Sequence, residues 1–260
     1  MQIRTQALIL NSSPIQESNL LLVLFTERLG KLRALAKGAL KSKKRFLGIL
    51  LHLNQLEVEL SPSPGSEVKF LLSQAELIKS RLSLAQNPVR LSSASALCEL
   101  LEKALPELEP VPKLFQTIDR AIDQIQFQPN FQSYFFYCLL KILAQLGYLP
   151  ALESCPVCGE KIPQRPKAFL FSLAMGGFLC PKCSRQKKNL IELPLALGQT
   201  LRAFPKLKLN KIAQLKLTAQ QWSSLLKLFS AFTAWHLEKP ILSLQFLREF
   251  SPLKEKSKSA

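Results

Sequence analysis

Four of the six cysteines fall into two Cys-x-x-Cys pairs, Cys155/Cys158 and Cys180/Cys183, with 21 residues between them. Each pair can grip one ion through a tight turn, and a tetrahedral site of four thiolates needs two such pairs brought face to face. The segment between them must then fold back as a small ribbon. Turn chemistry agrees: Pro156 and Pro181 each follow the first cysteine of a pair, and Gly159 follows Cys158. The spacing predicts a closed four-cysteine site for one structural Zn2+, with iron as the alternative tenant. Cys98 and Cys138 lie on the apolar faces of expected helices, where a buried thiol is inert. Three disulfides would be the other reading of six cysteines, but a chain this large with metal-like spacing argues against it.

Charge is the second constraint. The 260 residues carry 35 Lys and Arg against 18 Asp and Glu, a formal net charge of +17. By segment, the net charge is +5 over residues 1–80, −1 over 81–153 and +13 over 154–260. Basic flanks around a neutral middle point to a polyanionic partner, nucleic acid ahead of a membrane surface. The first apolar run covers only Ala7 to Leu10, and no stretch of eighteen apolar residues occurs. Neither a signal peptide nor a membrane span is expected, and the cytoplasm is the expected compartment.

The apolar period divides the chain. Gln2 to Leu10, Leu20 to Thr26, Lys31 to Ala36, Leu51 to Leu60 and Glu67 to Leu77 are β-compatible runs. Turn signals separate them at Asn11-Ser12-Ser13-Pro14, Arg28-Leu29-Gly30 and Ser61-Pro62-Ser63-Pro64-Gly65. Five short strands in residues 1–80 suggest a barrel of the oligonucleotide-binding (OB) type. From Ser83 the period becomes i, i+3, i+4 in three stretches: Ala94 to Leu105, Leu114 to Ile125 and Phe131 to Ile142. These predict amphipathic helices, punctuated by Pro106, Pro110, Pro112 and Pro129. A further helix is expected from Thr218, capped by its hydroxyl with Gln221 as reciprocal partner. The expected fold is α+β: a five-stranded OB-type barrel over 1–80, then a helical domain in two parts, 81–153 and 191–250. A four-cysteine zinc ribbon is inserted over 154–190, and 251–260 is a disordered basic tail.

Between Arg28 and Arg45, eight cations occur in eighteen residues with no acid: Arg28, Lys31, Arg33, Lys37, Lys41, Lys43, Lys44 and Arg45. That density suits phosphate binding at the barrel's mouth, and with only Phe25, Phe46 and Phe70 nearby, charge rather than stacking should dominate. A second basic stretch runs from Lys182 through Arg185, Lys187, Lys188, Arg202, Lys206, Lys208 and Lys211 to Lys216. It reads either as another phosphate surface or as decoration of an exposed loop. Catalysis finds little support. His236-Leu237-Glu238 has the His-x-Glu pattern of zinc deaminases but follows both cysteine pairs, and Leu179 rather than Pro precedes Cys180. Only two histidines, His52 and His236, are present, and there is no P-loop.

Together these features resemble one known family. Ala36-Lys37-Gly38-Ala39 with Lys41-Ser42-Lys43-Lys44-Arg45, the helical middle, Phe171-Ser172 and Gly176-Gly177-Phe178-Leu179-Cys180-Pro181-Lys182-Cys183 are similar to the RecO family of bacterial DNA repair proteins. The resemblance implies a non-catalytic recombination mediator that binds single- and double-stranded DNA and anneals complementary strands. It also implies help in loading the recombinase RecA onto DNA coated by single-strand-binding protein (SSB), together with RecR. The barrel cations would carry DNA, and the helical domain would take the acidic, apolar-ended SSB tail, with Lys239 and Arg248 as candidate contacts. Not every family member keeps the cysteines, which suits a structural metal. The competing class is a zinc-ribbon RNA-binding or assembly-interaction protein.

Overall fold

In the computed structural model, which describes residues 2–42, 45–64 and 68–250, the N-terminal runs close into a five-stranded barrel. The strands are β1 (Ile3–Ile15), β2 (Asn19–Thr26), β3 (Gly30–Ala36), β4 (Gln55–Pro62) and β5 (Phe70–Lys79), in the order β1-β2-β3-β5-β4. All pairings are antiparallel except the β3–β5 closure, which is parallel and pairs Ala34 with Phe70 and Leu35 with Leu71. Strand side chains alternate between faces, so Leu22 and Leu24, Leu32, Ala34 and Ala36, and Leu56, Val58 and Leu60 fill the interior together.

Several boundaries differ from the sequence reading; Ser61 and Pro62, expected in a turn, pair within β4, and β5 runs on to Lys79. The polar run Asn11-Ser12-Ser13-Pro14 is strand, not turn, because β1 shifts register between Ile9 and Asn11 and continues its pairing to Ile15 opposite Asn19. The chain reverses instead at Gln16, whose φ is +57°, and Asn19 donates to the Gln16 side chain at 2.8 Å. β4 begins at Gln55 rather than Leu51. The residues before it serve Ile9: Leu53 N donates to the Ile9 carbonyl at 3.0 Å, and Ile9 N to the Asn54 carbonyl at 3.1 Å. Of the expected fifth strand, Glu67 lies outside the described residues.

The first structural unit runs past the strands, from Met1 to Gln126, and the second from Phe127 to Ala260. The first therefore includes α1 (Pro88–Ala104) and α2 (Pro112–Phe127) up to its last residue. Asn87 caps α1, its Oδ1 accepting from Val89 N and Arg90 N at 3.1 Å each. Phe25 of β2 packs on Phe115 of α2 with ring centroids 5.7 Å apart. Gly30 meets the segment between the helices so closely that a Cβ there would lie 2.0 Å from the Glu109 carbonyl oxygen. An ion network joins barrel and helix. The almost fully buried Arg81 guanidinium binds Asp123 and lies 3.0 Å from Asp119, while Lys79 Nζ lies 2.7 Å from Asp119 and 3.0 Å from Asp123.

The second unit contains α3 (Phe131–Gln145), the small sheet β6 (Phe169–Ser172), β7 (Gly177–Phe178) and β8 (Ile191–Leu193), and the one-turn helix α4 (Pro181–Ser184). It continues through α5 (Leu195–Ala203), α6 (Leu209–Ile212), α7 (Ala219–Leu237) and α8 (Leu242–Glu249). Its aromatic core centres on Trp222, 5.1 Å from Phe136 and 5.6 Å from Phe135 between ring centroids. The Thr218 cap expected from sequence is present. Gln221 N donates to Thr218 Oγ1 at 3.1 Å, and Thr218 N to Gln221 Oε1 at 3.0 Å. Among the described residues, no helix is long and apolar enough to cross a membrane. The tail 251–260 lies outside the described residues.

Asp119→Ala removes one of the two carboxylates that offset the buried Arg81 charge, and should cost about 3 kcal/mol in urea unfolding of the whole chain. A second expectation concerns acid. Burial pushes His52 below its ordinary 6.5, against backbone contacts at Leu10 and Ile9. A histidine with a lowered folded-state pKa contributes its full stability above pH 6.5 and loses it as the pH falls below that value. His52→Gln should therefore flatten the decline of the unfolding midpoint between neutral and mildly acid pH.

Candidate metal centre and nucleic-acid interface

The two cysteine pairs reach one point by different local structures. In the first, the chain turns back on itself: Gly159 N donates to the Cys155 carbonyl and Cys155 N to the Glu160 carbonyl, both at 2.8 Å. Gly159 takes φ +75°, a conformation that favours glycine. In the second, Cys180 stands immediately before α4 and its carbonyl accepts from Ser184 N at 3.0 Å, with Pro181 in the first turn. All four Sγ atoms lie within 4.8 Å of one another, and Cys158 and Cys180 are 3.6 Å apart. A tetrahedron of thiolates around one zinc ion has edges of roughly 3.8 Å. The donor set and its spacing fit such an ion, with Cys155, Cys158, Cys180 and Cys183 as the residues that would hold it.

Their acidities point the same way. Burial raises the Cys155 thiol, but backbone N–H groups of Cys180, Cys158 and Val157 outweigh it and bring the group to about 6. Cys183 is pushed up to about 12, chiefly by its contact with the Cys158 thiol and then by burial. Thiols brought this close oppose one another's ionisation, and a cation among them would offset that repulsion. Beside the first pair, Arg202 holds Glu153 through contacts of 2.7 and 3.2 Å, and Lys206 binds it at 2.9 Å. Arg202 foremost, and Lys206 with it, keep the Glu153 carboxyl at about 2 despite burial. These two cations of the second basic stretch thus have an internal partner, although Lys206 is itself exposed, as are Lys182, Arg185, Lys187, Lys188, Lys208, Lys211 and Lys216.

The connection from β3 to β4 carries the other candidate site. Gly38, at φ +65°, donates its N–H to Asn19 Oδ1 at 2.8 Å and opens the single 3-10 turn Ala39–Lys41. Ser42 Oγ accepts from Arg45 N and Phe46 N at 3.1 Å each. The Arg45 guanidinium then donates to the Lys37 carbonyl at 2.6 Å and lies 4.4 Å from the centre of the Phe46 ring. Ala39, Phe46 and Leu50 enter the barrel core, while Lys37, Lys41 and Arg45 stay exposed. Lys43 and Lys44 lie outside the described residues.

The remaining cations of the Arg28 to Arg45 segment have internal partners. Lys31 Nζ is half-buried and donates to the Glu102 carbonyl at 2.6 Å. Arg33 lies 3.3 Å from Glu107, and Arg28 donates to the Arg4 carbonyl at 3.2 Å. Sequence reasoning missed the residues that hold the loop. Ser42 had a usable signal, since a serine three and four residues before bonded N–H groups is a common local turn. Asn19 had none, because its partner Gly38 lies nineteen residues away.

In the second unit, Lys239 and Arg248 are both exposed. Arg248 shares a shallow cavity of about 290 Å³ with Lys227, Gln245 and Glu249, and Lys239 is not part of that lining. Beside it the Phe246 and Phe250 rings stack at 4.2 Å, with Trp235 and Leu242 also exposed. His236 serves packing: its Nε2 donates to the Leu173 carbonyl at 3.1 Å, and its ring lies 4.5 Å from Phe232.

A basic OB-type barrel followed by helices and a four-cysteine knuckle defines a narrow class of protein. The chain belongs to the RecO family: "Recombination protein O N terminal" matches residues 1–81 and "Recombination protein O C terminal" matches 85–245. Among curated relatives, the DNA repair protein RecO of Syntrophobacter fumaroxidans is 28% identical over 249 residues, covering 95% of this chain and 97% of its own length. The DNA repair protein RecO of Myxococcus xanthus is 29% identical over 243 residues, covering 94% and 96%. That of Bacillus pumilus is 24% identical over 255 residues, covering 98% and 97%.

Cys180→Ser should bring the metal bound per purified chain, measured by mass spectrometry, to nearly none. Limited proteolysis of that variant should open residues 154–190 before the barrel is cut.

Proposed function

We propose that this chain is a non-catalytic DNA-repair mediator that binds single- and double-stranded DNA through the basic loop of its barrel and anneals complementary strands. The observation that carries this reading is the cluster of exposed Lys37, Lys41 and Arg45 on a loop anchored in the barrel core, in a segment with no acid between Glu27 and Glu57. Annealing needs no fuel. Cations that neutralise phosphates reduce the repulsion between two strands while leaving their base edges free to pair. Membership of the RecO family supports a role in DNA repair, with RecR as partner and help in loading RecA onto SSB-coated DNA. The exposed aromatics beside Arg248, with Lys239 nearby in sequence, offer the basic and apolar chemistry that an acidic, apolar-ended SSB tail requires. The metal, zinc by its donor set, is structural in this reading, and the protein works in the cytoplasm at the nucleoid.

The test is binding to labelled oligonucleotides across a salt series. With three to five loop cations on phosphates, log K against log salt should fall with a slope of roughly −2 to −3.5 on single-stranded DNA. Replacing Lys37, Lys41 and Arg45 together by Glu should weaken binding and annealing at least tenfold while the unfolding midpoint holds. Adding Lys43 and Lys44 to the reversal should deepen the loss. A slope near zero, or tighter binding to RNA than to DNA, would contradict the reading.

A further inference from the structure

The loop that presents these cations also presents leucines. Leu40, Leu47 and Leu51 are 51%, 68% and 44% exposed; Leu40 falls within the Arg28 to Arg45 basic segment, and Leu47 and Leu51 lie just beyond its end. Each directly follows a residue buried in the barrel core: Ala39 precedes Leu40, Phe46 precedes Leu47, and Leu50 precedes Leu51. The inward residue of each pair is held by packing, so its outward neighbour is held in turn. Leu47 is the clearest case. It occupies the second position of a turn in which Ile49 N donates to the Phe46 carbonyl at 3.3 Å, followed by Gly48 at φ +64°. A glycine at the third position is what a type II turn needs, and the residue before it stands at the tip. Leu40 is fixed by its own N–H, which donates to the Ser18 carbonyl at 3.0 Å.

We propose that Leu40 and Leu47 are base-contacting residues, which rest against or between unstacked bases of a single strand whose phosphates meet Lys37, Lys41 and Arg45. This rests on the DNA-binding reading above and adds to it a preference for unpaired bases. Charge complementarity names the occupant: apolar tips set among cations, with no acid in the segment, suit a polyanion that also carries apolar faces. A duplex hides those faces in its stack, whereas a single strand offers them, and apolar side chains are known to enter base steps. Contacts of this kind would also make the protein linger on unpaired strands, where annealing begins.

The experiment compares three ligands of equal length in fluorescence anisotropy: an oligothymidylate, an abasic strand with the same phosphates, and a duplex. The intact chain should prefer the oligothymidylate over the abasic strand by roughly tenfold. Leu40→Ser with Leu47→Ser should bring that ratio close to one, leaving the salt slope, the duplex affinity and the unfolding midpoint unchanged. Leu47→Phe, which offers a ring for stacking, should raise the ratio. Equal binding of base-bearing and abasic strands by the intact chain would overturn the inference, as would a ratio that survives both serines. Loss of binding to phosphatidylglycerol vesicles in the serine variant, with base preference intact, would also overturn it by assigning the leucines to a membrane. In each of these cases the Lys37, Lys41 and Arg45 reversal still reports separately on the cation reading.

Discussion

Closure of the barrel is the constraint from which the first unit's surface follows. Two residue pairs, Ala34 with Phe70 and Leu35 with Leu71, join β3 to β5 in parallel, and β5 therefore stands between β3 and β4. A chain leaving β3 for β4 must pass β5, and a hairpin cannot do this. The long connection that results would leave backbone polar groups and an open core unless it packed. It does so through Ala39, Phe46 and Leu50, while Asn19 and Ser42 satisfy its backbone N–H groups. The alternation of inward anchors with outward cations and leucines is thus a product of topology. A free loop with the same charges would bind phosphate with a larger loss of chain entropy.

The cations divide between internal and external work, and their count alone does not show how. Arg81 and Lys79 share Asp119 and Asp123 in joining barrel to α2, and Arg202 and Lys206 share Glu153 beside the first cysteine pair. Lys31 reaches a helix carbonyl. The buried Arg81 and the largely buried Arg202 hold geometry, because removing a partner strands their charge in a poor solvent, whereas the exposed Lys206–Glu153 pair adds little. The cations left in water give the long-range attraction and its salt dependence. The four thiols, gathered within 4.8 Å of one another, could likewise hold a metal ion and so staple the segment that separates the two pairs.

What could be read without the fold follows a simple rule of distance. The four thiols, the Thr218 cap with Gln221, the strand alternation and the helical periods are local patterns in which partners stand within a few residues, and these held. The turn expected at Asn11 to Pro14 did not, because a register shift between Ile9 and Asn11 and continued pairing with β2 overrode the local preference. The start expected for β4 at Leu51 failed for a related reason. Leu53 and Asn54 are claimed by Ile9, more than forty residues earlier in the chain.

The sequence by itself determined the class of the protein. Metal spacing, charge distribution and apolar period are properties of composition and order, and together they point to a basic barrel, a helical part and a four-cysteine knuckle. Only the tertiary structure decided which cations face outward and which leucines stand beside them. Lys31 and Lys37 are alike in sequence, six residues apart. One meets Glu102 and the other meets water, because partners that lie some seventy residues away are chosen by packing.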